Sequence, residues 1–197
     1  MSKMTFGSLF AGIGGFDLGL ERAGMVCKWQ VEIDPFCQRV LAKHWPRVTR
    51  YQDVRTVGRH NLETVELIAG GFPCQPHSTA GKRKGAADDR NLWPEYRRII
   101  AEMRPRWVLG ENVPGIKTTM LDQVLLDLED LAYTTATLVV PACAFDAPHK
   151  RDRVYILAHA NSGRMERRGT DKPVAGTGGG GGGNQGASGE NGGGHAR

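Results

Sequence analysis

Thr5-Phe-Gly-Ser-Leu-Phe-Ala-Gly-Ile-Gly-Gly-Phe-Asp-Leu-Gly-Leu-Glu-Arg-Ala-Gly24 carries three structural signals in succession. Thr5 to Phe10 is a short apolar run of strand length. Ala11-Gly12-Ile13-Gly14-Gly15-Phe16 is a glycine-rich turn. Phe16 to Ala23 places apolar residues at helical spacing, and Gly24 is the stop signal that follows a helix. Strand, glycine turn and helix form the opening unit of a nucleotide-binding α/β fold. Its glycines let a ligand approach the backbone, and its helix N-terminus favours negative charge. The dinucleotide fingerprint G-x-G-x-x-G requires glycine at position 17, where Asp17 stands instead. A tight turn with no ligand is therefore the alternative to a cofactor loop.

The next stretches continue the same alternation. Met25 to Ile33 reads as a second strand ending in Glu32-Ile33-Asp34. An acid at that tip, about 20 residues past the glycine turn, is where such folds hold a ribose hydroxyl pair. Asp34-Pro35 also reads as a helix N-cap followed by proline at the first helical position. Both readings hold together if Glu32 serves the ligand and Asp34 the helix, which runs from Pro35 to about Trp45. Tyr51 to Val54 looks like the end of a third strand. Asp53 there is either an acceptor for an adenine amino group or a solvated loop aspartate.

Glu66 to Ala69 is a fourth, buried strand, and it leads into Gly70-Gly-Phe-Pro-Cys-Gln-Pro-His-Ser78. The two glycines are expected to turn the chain sharply. Pro73 and Pro76 stiffen the backbone on either side of Cys74. A thiol on a stiff loop past a strand end is placed for chemistry; the plainer alternative is a buried structural cysteine. Thr79 to Arg90 is polar and Gly-rich, and its basic centre Lys82-Arg83-Lys84 suits a phosphate backbone.

Asn91 to Met103 is expected to be helical, with Leu92, Tyr96, Ile99, Ile100 and Met103 on one face. Arg106 to Gly110 is a fifth strand, and Glu111-Asn-Val-Pro-Gly115 its exit turn, which makes Glu111 a candidate acid. Met120 to Leu131 is a helix whose leucine stripe is structural. Thr137 to Val140 and Val154 to Leu157 are two further strands. Arg151 and Arg153 lie between them, two residues apart, so an extended backbone would turn both to one side, where paired guanidiniums suit phosphate and carbonyl oxygens. These units predict an α/β, Rossmann-like, doubly wound and mainly parallel sheet. Helices cover both faces, an antiparallel hairpin lies at one edge, and ligands bind at the carboxyl ends of the strands.

The expected catalytic domain is residues 1–160. Residues 161–197 contain almost no large apolar side chains and include the run Gly178 to Gly183, so a disordered Gly-rich tail is expected. The chain has 197 residues and a net charge of +5, a mild basic excess that fits nucleic acid as well as an ordinary surface. The four cysteines form no CxxC pair and no zinc spacing, so reduced thiols and no metal are expected. No signal-peptide core and no apolar run near the ~20 residues of a membrane span are visible, which predicts a cytoplasmic, nucleoid-associated protein without membrane contact.

Taken in order, these stretches resemble the C5-cytosine DNA methyltransferases over roughly residues 4–158. Phe10-Ala-Gly-Ile-Gly-Gly15 is similar to that family's loop for S-adenosylmethionine, with Phe10, Gly12, Gly14 and Gly15 at the cofactor. Glu32 matches its ribose acid and Asp53 its adenine contact. Gly71-Phe-Pro-Cys-Gln75 resembles its nucleophile loop, with Pro73 beside the cofactor, Cys74 as nucleophile and Ser78 at a phosphate-contacting serine. Leu92 falls in the helix that covers the cofactor. Glu111-Asn-Val113 is similar to the acidic motif, and Pro148-His-Lys-Arg-Asp-Arg153 to the arginine motif, with His149 where the family usually has glutamine. The resemblance implies methyl transfer to C5 of a flipped-out cytosine through a covalent Cys74 adduct at C6. Glu111, Arg151 and Arg153 would handle the charge, and Gln75, Ser78, Lys82, Arg83 and Lys84 would meet the nucleic acid. Nothing in residues 161–197 resembles the family's target-recognition region or its closing motifs. The expected partner is therefore DNA, and the chain is either a truncated product or one half of an enzyme completed by a second chain that supplies that region. A non-catalytic remnant binding cofactor or nucleic acid, and an RNA cytosine methyltransferase, are the alternatives. Asp17 and the Pro-Cys loop disfavour a nicotinamide-dependent dehydrogenase. An amino-group methyltransferase would carry Asn/Asp-Pro-Pro-aromatic after the fourth strand.

Overall fold

The computed structural model describes residues 3–73 and 91–161. Cys74, Gln75, Ser78, Lys82, Arg83 and Lys84 lie outside the described residues, as does the tail from position 162 onward. In chain order the strands are β1 (Thr5–Leu9), β2 (Val26–Val31), β3 (Thr49–Tyr51), β4 (Leu67–Gly71), β5 (Trp107–Asn112), β6 (Tyr133–Pro141) and β7 (Asp152–Ala160). The helices are α1 (Gly15–Arg22), α2 (Pro35–His44), α3 (Trp93–Met103), α4 (Ile116–Thr119) and α5 (Leu121–Asp130). One sheet takes the order β3-β2-β1-β4-β5-β7-β6. Its first five strands are parallel, whereas β7 runs antiparallel to both β5 and β6. The doubly wound sheet and the edge hairpin are both as expected.

Burial explains the strand composition. Leu67, Ile68 and Ala69 of β4 are all buried because parallel strands are covered on both faces and read as unbroken apolar runs. On one face Ile68, Val108, Val154, Ile156 and Ala158 pack with Tyr96, Ile99 and Ile100 of α3 and with Val124 and Leu128 of α5. On the other, Phe6, Leu67 and Ala69 pack with Leu20 of α1, flanked by Phe16, Trp107 and Leu109. The leucine stripe of α5 is structural, as its spacing indicates.

Four local expectations change. Gly70 and Gly71 do not turn the chain; they are the last residues of β4, paired with Gly110 and Glu111 of β5. Their value is space, because a Cβ on Gly70 would sit 2.7 Å from the Leu9 carbonyl oxygen. Glu111 is not in an exit turn but within β5, which continues to Asn112 because antiparallel β7 pairs with it to the end. β3 stops at Tyr51, and Asp53 caps a 3-10 turn at Val54–Thr56 instead of ending a strand. Arg151 has φ 38°, so the extended geometry invoked to align it with Arg153 does not exist. Helix α4 and the 3-10 turn at Ala142–Phe145 were too short to carry a periodic signal.

Candidate active site

At the carboxyl edge of the parallel strands lies a cleft of about 240 Å³. Phe10, Glu32, Asp53, Pro73 and Leu92 line it, joined by Val31, Ile33, Gln52, Val54, Arg55 and Gly71. The glycine turn shapes its mouth. Phe10, Gly12 and Gly14 have positive φ, and Gly14 caps α1 in the left-handed conformation that glycine adopts without strain. A Cβ on Gly14 would also collide with the Trp45 ring. Gly12, Gly14 and Gly15 build the loop and do not line the cleft itself.

Glu32 holds that loop in place. Its Oε2 accepts from the Gly12 amide at 2.7 Å, and its Oε1 accepts from the Asp34 amide at 2.8 Å. Each carboxylate oxygen has a further lone pair, so the acid still has acceptor capacity toward the cleft. Asp34 caps α2 by accepting from the Cys37 amide at 2.9 Å, a bond that holds its carboxyl below the ordinary range. The Asp34 cap is the one the sequence suggests, and it leaves Glu32 at the cleft wall. Asp53 faces the same cleft while accepting from the Arg55 amide at 2.9 Å.

Asp17 is the residue that motif reasoning undervalued. It is fully buried in the first turn of α1, and it accepts from Ser8 Oγ at 3.0 Å, Gln30 Nε2 at 2.8 Å and Cys27 Sγ at 3.4 Å. It ties the helix behind the glycine turn to β1 and β2. Burial and the neighbouring Asp17 push the Cys27 thiol far up, so Cys27 is an inert hydrogen-bond donor. The absence of glycine at position 17 was the available signal.

A second pocket, of about 320 Å³, adjoins the first. Phe72, Pro73, Glu111, Asn112, Val113, Arg151 and Arg153 line it, so Arg151 reaches the same pocket as Arg153 despite its bent backbone. Glu111 Oε1 lies 2.8 Å from Arg153 Nε. Burial pushes the Glu111 carboxyl above its ordinary range against the opposing pull of Arg153 and Arg151. Gly71 makes room for this acid, since a Cβ there would sit 2.8 Å from Glu111 Oε2. Tyr155, unremarked in the sequence, lies opposite Glu111 in the β5–β7 register, and burial and that carboxylate both push its phenol up.

The backbone just before Cys74 is held from two sides. Asn112 Nδ2 donates to the Phe72 carbonyl at 2.8 Å, and the Leu92 amide donates to the Pro73 carbonyl at 3.2 Å. The Phe72 ring packs against Trp93 and Tyr96 at 5.1 and 5.9 Å. The Tyr96 hydroxyl in turn donates to the Ile68 and Leu109 carbonyls. Pro73 belongs to both pockets. Among the described residues, no cluster of three or more His, Cys, Asp or Glu could hold a metal ion, and no helix is long and apolar enough to cross a membrane.

Comparison with known proteins accords with this layout. The chain is 32% identical over 160 residues to the Type II methyltransferase M.DsaV of Dactylococcopsis salina, covering 79% of this chain and 45% of that protein. It is 38% identical over 161 residues to the Type II methyltransferase M.Eco47II of Escherichia coli, covering 78% of this chain and 39% of that protein. The solved structure of the Entamoeba histolytica methyltransferase EhMeth shares the fold, with a TM-score of 0.70 at 19% identity over 83% of this chain and 55% of that one. The chain spans less than half the length of both Type II relatives. Each of them carries its remaining length in the same polypeptide, so the expected second chain finds no support there. The pattern of C-5 cytosine-specific DNA methylases matches residues 4–175. With a cleft beside Glu32 and Asp53, an acid–arginine pocket next to it, and this match across most of its length, the chain belongs to the C-5 cytosine-specific DNA methylase family.

Proposed function

We propose that this chain is the cofactor-binding and catalytic part of an enzyme that methylates C5 of cytosine in DNA. The observation that carries the proposal is the shared wall at Pro73. A cleft with Glu32 and Asp53 meets a pocket with Glu111 and Arg153 at the residue immediately before Cys74 in sequence. S-adenosylmethionine fits the first cleft by chemistry. Glu32 suits the ribose hydroxyls, Asp53 suits the adenine amino group, and Phe10 and Leu92 offer apolar surface to the purine. When bound, that cofactor supplies an electrophilic methyl group. A duplex cytosine reaches the second pocket by leaving the base stack.

Cytosine C5 is a weak nucleophile, so the ring needs activation. The Cys74 thiolate adds to C6, and the ring electrons move onto N3 and O2. Glu111, whose carboxyl burial pushes above its ordinary range, shares a proton with N3 as charge builds there. Arg153 serves the O2 side and Arg151 a nearby phosphate. C5 then takes the methyl group. Loss of the C5 proton to a base or water returns the electron pair to the ring and expels Cys74.

The test is covalent trapping on duplex DNA containing 5-fluorocytosine, with S-adenosylmethionine present. Fluorine at C5 blocks the final elimination, so the expected result is a denaturation-resistant protein–DNA band that is absent from Cys74→Ser. That variant is expected to bind S-adenosylhomocysteine like the wild type. No band on DNA of any sequence overturns the catalytic reading in favour of a binding remnant. A band formed on 5-fluorocytosine RNA and not on DNA moves the substrate to RNA.

A further inference from the structure

Arg98 lies outside both pockets, on helix α3, which begins just after Leu92 at the wall of the first cleft. Its Nε donates to Glu95 at 2.8 Å and its Nη1 to Glu102 at 2.8 Å, both on its own helix α3. Its Nη2 crosses to another element and donates to the carbonyls of Val54 at 3.0 Å and Val57 at 2.9 Å. Those two carbonyls bracket the 3-10 turn Val54–Thr56, which begins at Asp53. The grip is reinforced where the Arg59 amide donates to Glu102 Oε2 at 3.1 Å, and where Gly58 leaves room for the same carboxylate. Hydrogen bonding to Arg98 is the main influence holding the Glu102 carboxyl below its ordinary range.

Helix α3 therefore controls two walls of the cofactor cleft. Leu92, immediately before it, lines the cleft and is fastened to Pro73. Two turns later Arg98 fastens the turn that carries Asp53. We infer that Arg98 is a positioning residue for cofactor recognition: its fork across the Val54 and Val57 carbonyls holds the Asp53 carboxylate at the cleft wall, where it reads the amino group of the purine. This inference rests on the proposed assignment of the cleft to S-adenosylmethionine. A planar guanidinium can serve two carboxylates and two carbonyls at once, whereas an ammonium is a compact charge that cannot span them.

Discrimination is a sharper readout than affinity, because a merely structural role would weaken all ligands alike. Calorimetric titration would compare S-adenosylhomocysteine with S-inosylhomocysteine, whose purine presents an oxygen where the amino group stood. Wild type is expected to prefer the adenosyl compound by at least about tenfold, since an acceptor facing Asp53 loses that hydrogen bond. Arg98→Gln is expected to bring the preference below about threefold, with Arg98→Lys between the two. Arg97→Gln, on the same helix but paired with Asp127, is expected to keep the wild-type ratio. If Arg98→Gln does not fold, Arg98→Lys decides. A wild-type ratio in the folded Arg98 variants, or an equal loss in Arg97→Gln, overturns the positioning role alone. Wild type that binds both compounds without preference overturns the Asp53 contact and this role with it. Wild type that binds neither overturns the proposed function as a whole.

Discussion

Alanine at Gly70 and alanine at Gly71 are expected to fail in different ways, although the two residues are adjacent on β4. At Gly70 the new Cβ would sit 2.7 Å from the Leu9 carbonyl oxygen and 3.3 Å from Leu9 Cβ. Both belong to β1, a central strand paired on each side, which cannot retreat. Overpacking of that kind costs about 1–3 kcal/mol. The smaller unfolded-state entropy of alanine offsets roughly 0.4–1 kcal/mol of it. A net loss near 1–2 kcal/mol is expected for Gly70→Ala, visible as a lowered urea midpoint at unchanged slope. At Gly71 the Cβ would meet Glu111 Oε2 at 2.8 Å, the far end of a flexible side chain. The carboxylate needs to move only about 0.6 Å to reach ordinary contact at 3.4 Å, so stability should stay within about 0.5 kcal/mol of wild type. That small movement comes out of the 2.8 Å contact with Arg153. Displacement of a reacting group by about 1 Å costs on the order of a hundredfold in rate, so roughly ten- to a hundredfold is expected here. Methyl incorporation into DNA measures the rate, and the carboxyl carbon shift of Glu111 reports its titration, which should move further up as Arg153 loosens. Gly71→Ala that is as unstable as Gly70→Ala, or that keeps both the wild-type rate and the wild-type titration, would refute the reasoning.

Two further outcomes follow from the same geometry. Asp17→Ala strips the acceptor from three buried donors, Ser8, Gln30 and Cys27, and should destabilise the fold by about 3 kcal/mol or more in urea unfolding, with Asp17→Asn milder. Arg153→Ala should make stability fall more steeply with pH. Glu111 in the folded chain already holds its proton more tightly than an ordinary carboxyl, so its contribution is lost as pH rises through the raised range, and removing Arg153 raises that range further. Urea midpoints compared between about pH 4 and pH 8 should show a deficit that grows with pH; a constant deficit would mean that the arginine acts by packing alone.

The parts of the fold legible in the sequence are those whose signal is local. Strand β4 reads as a buried strand because every residue in it is apolar or glycine, and α5 because its leucines repeat at core spacing. Asp34 is legible as a cap because capping needs only the next three residues, and the Cys37 amide supplies the bond. What was misread depends on partners distant in sequence. Glu111 looks like a turn residue until β7 is known to pair with it. Gly70 and Gly71 look like turn glycines until Leu9 and Glu111 are found in the space their side chains would need. Asp17 looks like a broken fingerprint until Ser8, Gln30 and Cys27 are seen to converge on it. Arg98 looks like a surface helix residue, since nothing near it in sequence announces the carbonyls of Val54 and Val57.

The reversal of β7 explains why residues so far apart share one pocket. In a sheet of parallel strands, ligands gather outside the carboxyl ends, at the point where the winding changes direction. Here that point lies between β1, which neighbours β2, and β4 on its other side. Phe10, Glu32, Asp53 and Pro73 follow β1, β2, β3 and β4 respectively, so parallel winding alone delivers the first cleft. It could not deliver Arg151 and Arg153, because residues that open a parallel strand emerge at the opposite edge. Only an antiparallel β7 starts where the others finish. That places Arg153 beside Asn112 and Glu111 at the end of β5, with Val154 paired to Asn112 and Tyr155 to Glu111. The hairpin at the sheet edge is therefore a requirement of the site: it carries the cationic half of the second pocket to the edge at which the acid and the residues before Cys74 already stand.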